Sequence, residues 1–403
     1  MPPCYIALAL ALRGGASTPD PDRGCLMPLR SRWIDQRTRN AIGIACLLLC
    51  AGLWSTDARA LPGSGAASKV SATDRVALGR ALFFDPRLSA SGTIDCASCH
   101  QPQHAYSDPR PVSIGVFGRH STRNAPSLEN VFVYTHFFWD GRRRSLGKAV
   151  LDPLTNPVDM GLANRQAVLK QVLHAGYGPR FAAVFPGAAA PLSMRDISAA
   201  LSSFVLSLDR SRSPFDRFHD DGDTNALTLQ ARAGYRLFVG RAGCARCHTV
   251  SGHPATLTDN RFHTFWPALR PLTGHLARLT ERVMRDSMQP QMVGALADSH
   301  TRLSNLGRFL VTHRARSIGA FRTPSLRNVA LTAPYMHNGS IATLSGAINE
   351  ELYYRGLQTG RPIALTARER HELLAFLQSL TIAQPAVPLS AMQSGLQSKH
   401  HRE

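Results

Sequence analysis

The chain has 403 residues, of which 44% are hydrophobic and 18% charged, and its formal net charge is +19. This length allows two ordinary domains, and this composition excludes a disordered chain and a polytopic membrane protein. The cationic residues are scattered without a nucleic-acid-binding motif, and a general preference for arginine explains them better than a charged binding surface does.

The first predicted element is an apolar segment over residues 41–54, preceded by several arginines and followed by Ala58-Arg59-Ala60. The segment is too short to span a bilayer readily as a helix, although an uncleaved membrane anchor is the alternative interpretation. A basic flank, an apolar centre and a small-residue end are typical of a cleaved secretory signal. We therefore expect residues 1–60 to be removed during export to the periplasm, with Met27 as a second candidate for the true start.

Removing that segment leaves four cysteines, and all of them belong to two C-x-x-C-H motifs. Two intervening residues form one turn that presents both sulfurs to the vinyl groups of a haem, and the next histidine coordinates its iron. Zinc or thioredoxin-like sites do not need that histidine twice. The sequence predicts two covalently bound haem c groups, with thioethers at Cys96, Cys99, Cys244 and Cys247 and proximal ligands His100 and His248.

The chain repeats itself around these motifs. A G-x-x-L-F pattern precedes each one, at 79–83 and 234–238, and a longer P-S-L-x-N-V match follows each, at 126–146 and 324–344. The spacing is identical, so that Trp139 pairs with His337. We interpret this as an internal duplication.

Helical patterns dominate the rest of the chain. Apolar residues recur at helical spacing over 197–208, and a capping box precedes an apolar stripe over 366–380. The predicted fold class is all-α, with two cytochrome c-like haem domains at 61–222 and 223–403. The segment 258–313, between the second motif and its repeat, carries no readable motif.

Four motifs resemble those of the bacterial di-haem cytochrome c peroxidases and their relative MauG, which oxidises a protein substrate. They are L-F-F-D-P-R-L-S from Leu82, R-N-A-P-S-L from Arg123, F-W-D-G-R from Phe138 and L-R-N-V-A-L-T-A-P-Y-M-H-N-G from Leu326. The resemblance implies two all-α domains with the haems near their interface, the first haem peroxidatic and the second transferring electrons.

The resemblance also assigns roles to single residues. Trp139 matches the tryptophan between the two haems, and Asp159 matches the family's distal glutamate, which moves the peroxide proton. Asn124, Thr332 and Pro334 match the ligands of an inter-domain calcium ion, for which oxygen donors are suited.

Three departures from the family pattern matter. The distal glutamine of the peroxidases falls on Ala149, and the histidine that caps their resting peroxidatic iron falls on Val116. We therefore expect an open first haem, as in MauG, with His104 and His120 as surface or packing residues.

The third departure concerns the distal ligand of the second haem, a methionine in peroxidases and a tyrosine in MauG. Direct counting from His337 reaches Glu351, whereas a two-residue insertion reaches Tyr353, with Tyr354 beside it. Because phenolate is an attested haem ligand, we prefer Tyr353.

Together these features predict an enzyme that reduces hydrogen peroxide with electrons from a small cytochrome c or cupredoxin. One alternative is a MauG-like enzyme that oxidises tryptophan or tyrosine of a partner protein, which the changes at Val116 and Ala149 favour. A second is a plain electron-transfer cytochrome, and Val116 argues against it. No nucleic-acid partner is expected, and a homodimer is compatible with the sequence.

Overall fold

The computed structural model describes residues 71–187, 192–208, 212–285 and 290–382. The chain is rich in helices, which confirms the predicted helical character. The predicted signal segment, residues 1–60, lies outside the described residues. The helices of the first half are α1 Ala72–Phe83, α2 Leu146–Ala149, α3 Asp152–Thr155, α4 Arg165–His174, α5 Gly178–Val184 and α6 Met194–Leu206.

The second half begins with α7 and carries the two short strands. Its elements are α7 Pro214–Asp220, α8 Leu229–Val239, β1 Phe262–Thr264, α9 Trp266–Leu269, α10 Leu276–Arg285, α11 Pro290–Ser299, α12 Thr301–Ser304, α13 Phe309–Thr312, β2 Ala320–Arg322, α14 Leu344–Thr359 and α15 Ala367–Gln378. Strands β1 and β2 pair antiparallel, with His263 opposite Phe321.

A close pair of helices organises each half. In the first half, α1 begins at a capping box formed by Ser71 and Asp74 and packs against α6. The contact is close because Gly79 faces the carbonyl of Ala200, where a Cβ atom would lie only 1.9 Å from that oxygen. Helix α6 carries the buried apolar face that its sequence predicts.

The second half repeats this arrangement with α8 and α15. Gly234 of α8 faces the carbonyl of Glu372, and a Cβ atom there would also lie 1.9 Å from the oxygen. Helix α15 begins at the predicted capping box of Thr366 and Glu369. In both pairs a glycine lets two helices approach more closely than any side chain permits.

The loops that follow the haem motifs are also alike in conformation. Both turn at an asparagine in the left-handed region, with φ of 58° at Asn130 and 57° at Asn328. An isolated antiparallel bridge then closes a loop that contains Trp139 in the first half and His337 in the second.

Three buried apolar clusters form the cores of the described chain. The first draws on residues 78–205 and the second on residues 215–380. The third belongs to the segment 258–313, in which the sequence showed no motif, and it includes Leu272, Val283 and Phe309. Within the described ranges, no helix combines the length and apolar character that a bilayer span requires.

Candidate functional site

The first C-x-x-C-H motif folds as a single tight turn over Cys96–Ser98. Asp95 caps this turn by accepting the backbone N–H of Ser98 at 2.7 Å, and Arg110 donates to the carbonyl of Ser98 at 2.8 Å. His100 donates through Nδ1 to the carbonyl of Tyr106 at 2.9 Å, which leaves Nε2 for iron. Burial lowers the pKa of His100, so its ring stays neutral, as ligation requires.

The second motif forms the same single turn over Cys244–Arg246, with Gly243 in place of a capping side chain. His248 shares its Nδ1–H between the carbonyls of Leu257 at 3.2 Å and Pro324 at 3.1 Å, and its Nε2 is again left for a metal. Burial lowers the pKa of His248 to about 4. Both proximal histidines predicted from the sequence are thus oriented by backbone carbonyls.

A cavity of about 300 Å³ lies beside the second motif and is lined from both halves of the chain. Cys244, Cys247 and His248 line it, and so does Trp139 from the first half. The indole N–H of Trp139 donates to the carbonyl of Asn124 at 2.9 Å, which fixes the orientation of the ring. The structure therefore brings the predicted inter-haem tryptophan to the second haem motif.

The three residues predicted to bind calcium line this same cavity: Asn124, Thr332 and Pro334. The side-chain amide of Asn124 donates to the carbonyls of Asp108 at 3.2 Å and Arg110 at 3.0 Å. Its amide oxygen is therefore the atom left for a cation. The calcium site stays a prediction.

Asp159 lies in the loop after α3, and its carbonyl accepts the backbone N–H of Val116 at 2.9 Å. Burial, and after it the negative charge of Asp298, raise the pKa of Asp159 well above the usual aspartate value, against the lowering effect of Arg142. A raised pKa makes this carboxyl group better suited than an ordinary aspartate to accept a proton and return it.

An apolar side chain occupies the position predicted to match the family's capping histidine. Val116 is fully buried and faces Gly161 of the loop that carries Asp159. His120 is exposed and His104 is partly exposed. Ala149, at the position of the distal glutamine, is buried at the end of α2.

The structure does not bring Tyr353 to the cavity, contrary to the placement expected from its predicted role as distal ligand. Its side chain is 61% exposed, whereas Glu351 and Tyr354 line the cavity. Helix α14 runs without interruption over Leu344–Thr359. Residues three and four apart therefore share its inner face, and position 353 falls outside it.

Comparison with known proteins agrees with this geometry. The family model for di-haem cytochrome c peroxidase matches residues 73–225. The chain is 32% identical to the methylamine utilization protein MauG of Methylorubrum extorquens, over 78% of this chain and 80% of that protein. It is also 32% identical to the cytochrome-c peroxidase IdrP1 of Denitromonas iodatirespirans, over 78% of this chain and 83% of that protein.

Among solved structures, the chain is similar to a MauG-like protein associated with microbial copper homeostasis. The TM-score is 0.62 at 31% identity, and the match covers 83% of this chain and 98% of the other. The chain belongs to the di-haem cytochrome c peroxidase family.

Membership of the di-haem peroxidase family makes the chain an oxidoreductase and implies two c-type haems. The residues present fit such groups. Each motif supplies two unpaired thiols and a neutral imidazole whose Nε2 is left for iron. The cavity beside Cys244 and Cys247 has a mostly apolar lining suited to a porphyrin.

The sequence did not identify a buried polar network beside Asp159. Its centre is Arg142, which ion-pairs with Asp140 at 3.1 Å, Asp298 at 3.6 Å and Asp152 at 3.8 Å. Asp298 comes from the segment 258–313, in which the sequence showed no motif, so no sequence signal pointed to this network.

Proposed function

We propose that the chain is an exported, periplasmic peroxidase that reduces hydrogen peroxide with electrons from a small cytochrome c or cupredoxin. Peroxide takes up two electrons and two protons and leaves as two water molecules. When bound, the haems supply the redox chemistry of this reaction. The observation that carries the proposal is Asp159, a carboxyl group with a raised pKa whose backbone bonds Val116 and whose charge acts on Cys96 and Cys99.

In this proposal the carboxylate oxygen of Asp159 takes the proton of the incoming peroxide and returns it to the departing oxygen as the O–O bond breaks. Trp139 provides the route for electrons between the two halves, because its ring is held at the cavity of the second motif. The side chain of Val116 offers no lone pair, so His100 is the sole protein ligand that we assign to the first haem. We assign His248 and Tyr354 to the second, since Tyr354 lines the cavity.

Spectroscopy of the resting protein tests this proposal. The ferric holoprotein should show one high-spin and one low-spin haem by EPR, and stoichiometric peroxide should change its absorption at once without prior reduction. An entirely low-spin protein that is inert to peroxide would show that His104, His120 or another residue caps the first haem.

A MauG-like reaction is the second candidate, and two observations favour it. Val116 and Ala149 replace the capping histidine and the glutamine of the peroxidases, and Trp266 lines the cavity beside the second motif while remaining 47% exposed. Once it has itself lost an electron to the peroxide-oxidised haems, such a ring could take an electron from a tryptophan or tyrosine of a docked protein. Steady-state oxidation of a reduced cytochrome or cupredoxin by peroxide supports the first candidate. If this activity is absent and peroxide instead leads to oxidation of aromatic residues in a protein substrate, the second candidate is supported.

We also propose that the two halves are haem domains, 61–222 and 223–403, that arose by duplication. The matched glycine contacts of α1 with α6 and of α8 with α15 support this interpretation. The left-handed asparagines at 130 and 328 support it as well.

A further inference from the structure

Helix α11 belongs to the segment 258–313, yet it docks on the first half of the chain. The hydroxyl of Thr122 donates to the carbonyl of Ala297. Gly294 lies so close to Arg142 that a Cβ atom there would be 3.1 Å from Nε. These contacts place Asp298, which is only 6% exposed, next to the loop that carries Asp159.

Asp298 holds the loop that carries Asp159 through the side chain of Asn156. Its carboxylate accepts a hydrogen bond from Nδ2 of Asn156 at 2.8 Å. Because that bond fixes the orientation of the amide, Oδ1 of Asn156 faces the backbone N–H of Val158 and accepts it at 2.9 Å. The carbonyl of Asn156 accepts the N–H of Gly161 at 2.8 Å, so Asn156 is bonded on both sides of Asp159.

Three charged groups and burial determine the electrostatic environment of Asp159. Asp298 from α11 and Asp152 from α3 disfavour its charged form, as burial does, and Arg142 favours it. Cys96 and Cys99 also lie near, but as thioethers they carry no charge. Burial, and to a smaller extent Asp140, raise the pKa of Asp298 itself. Arg142, Arg123 and the hydrogen bond from Asn156 act in the opposite direction.

We propose that Asp298 is a positioning residue for peroxide cleavage: through Asn156 it fixes the loop of Asp159, and its negative charge makes the Asp159 carboxylate a stronger base. The inference rests on the acid/base role proposed above for Asp159. A stronger base takes the peroxide proton more readily. The resulting gain in rate appears only above the pH at which the Asp159 carboxyl group is itself deprotonated. The segment 258–313 thereby tunes the first haem site from the second half of the chain.

The pH profile of the peroxide reaction tests this role. Asp298→Asn keeps an acceptor for Asn156 but removes the charge, so the midpoint of the acid limb should move to lower pH by about one unit. The plateau rate should fall by up to about tenfold as the base weakens. Asp298→Glu, which keeps the charge, should retain the wild-type midpoint. Glu281→Gln is the matched control, because it removes an exposed carboxylate of the same segment.

Two further variants, Asp159→Asn and Asn156→Ala, distinguish a failure of this inference from a failure of the proposed function. If Asp159→Asn slows the reaction and Asp298→Asn leaves the midpoint unmoved, the positioning role is wrong and the proposed function stands. If Asp159→Asn has no effect, both fail. Should Asp298→Asn not assemble with two haems, Asn156→Ala breaks the same hydrogen bond from the other side, and an unchanged plateau rate in that variant overturns the proposal.

Discussion

Two neighbouring tyrosines on α14 have opposite environments. Tyr354 lines the cavity of the second haem motif, whereas Tyr353 is largely exposed and packs edge-on against Tyr354 at 5.0 Å between ring centroids. Glu351, the other candidate ligand on this face, is paired with Arg355 at 3.7 Å. These environments support Tyr354 as the proposed ligand of the second haem.

This difference predicts opposite results for two variants that each remove one hydroxyl group. Tyr354→Phe should convert the low-spin signal of the second haem to a high-spin one and shift its reduction potential, because phenylalanine cannot ligate. Tyr353→Phe is the matched control and should leave both signals as they are. EPR of the two ferric variants measures this, and a low-spin signal that survives in Tyr354→Phe would point to Glu351 or another ligand.

At the scale of elements, the packing of α1 on α6 depends on Gly79. A Cβ atom at this position would overlap the carbonyl oxygen of Ala200, so Gly79→Ala should separate the helices and destabilise the first half by about 1–3 kcal/mol. Gly178 of α5 is the matched control, since the nearest atom to its Cβ position is 3.5 Å away. Gly178→Ala should cost less than Gly79→Ala, because its Cβ atom meets no backbone atom of another segment and only the following Pro179 disfavours it.

Denaturant unfolding of the holoprotein, followed by absorbance at the haem bands, compares these two glycine variants. Equal midpoints of unfolding for Gly79→Ala and Gly178→Ala would show that the helices adjust without cost. The same comparison at Gly234 would report on the equivalent contact in the second half.

At the scale of the whole molecule, the chain should carry two covalent haems and lack disulfides among its described cysteines, all four of which are free thiols in the structure. The intact mass of the exported protein should exceed that of the processed chain by two haem groups, and both should survive acid acetone. Cys96→Ser with Cys99→Ser should remove one haem and leave the other. A wild-type mass that corresponds to one haem contradicts the assignment.

The haem motifs could be predicted because every part of them is local in the sequence. Five consecutive residues supply both thiols and the imidazole, and the turn over Cys96–Ser98 is closed by the adjacent Asp95. The helices α6 and α15 were predictable for the same reason, since their apolar spacing and capping boxes lie within one segment. The position of Tyr353 outside the cavity could not be predicted, because a count along the chain cannot tell which face of a continuous helix meets the cavity.

The sequence by itself determined the two haem motifs, the helical character and the family, because these depend on residue types at short fixed spacings. The tertiary structure alone decided which side chains complete the site. Asp298 reaches the loop of Asp159 from 139 positions further along the chain, and Trp139 joins the cavity of His248. Such contacts arise when separate segments bury their apolar faces against one another, and no local pattern records which polar groups that packing brings together.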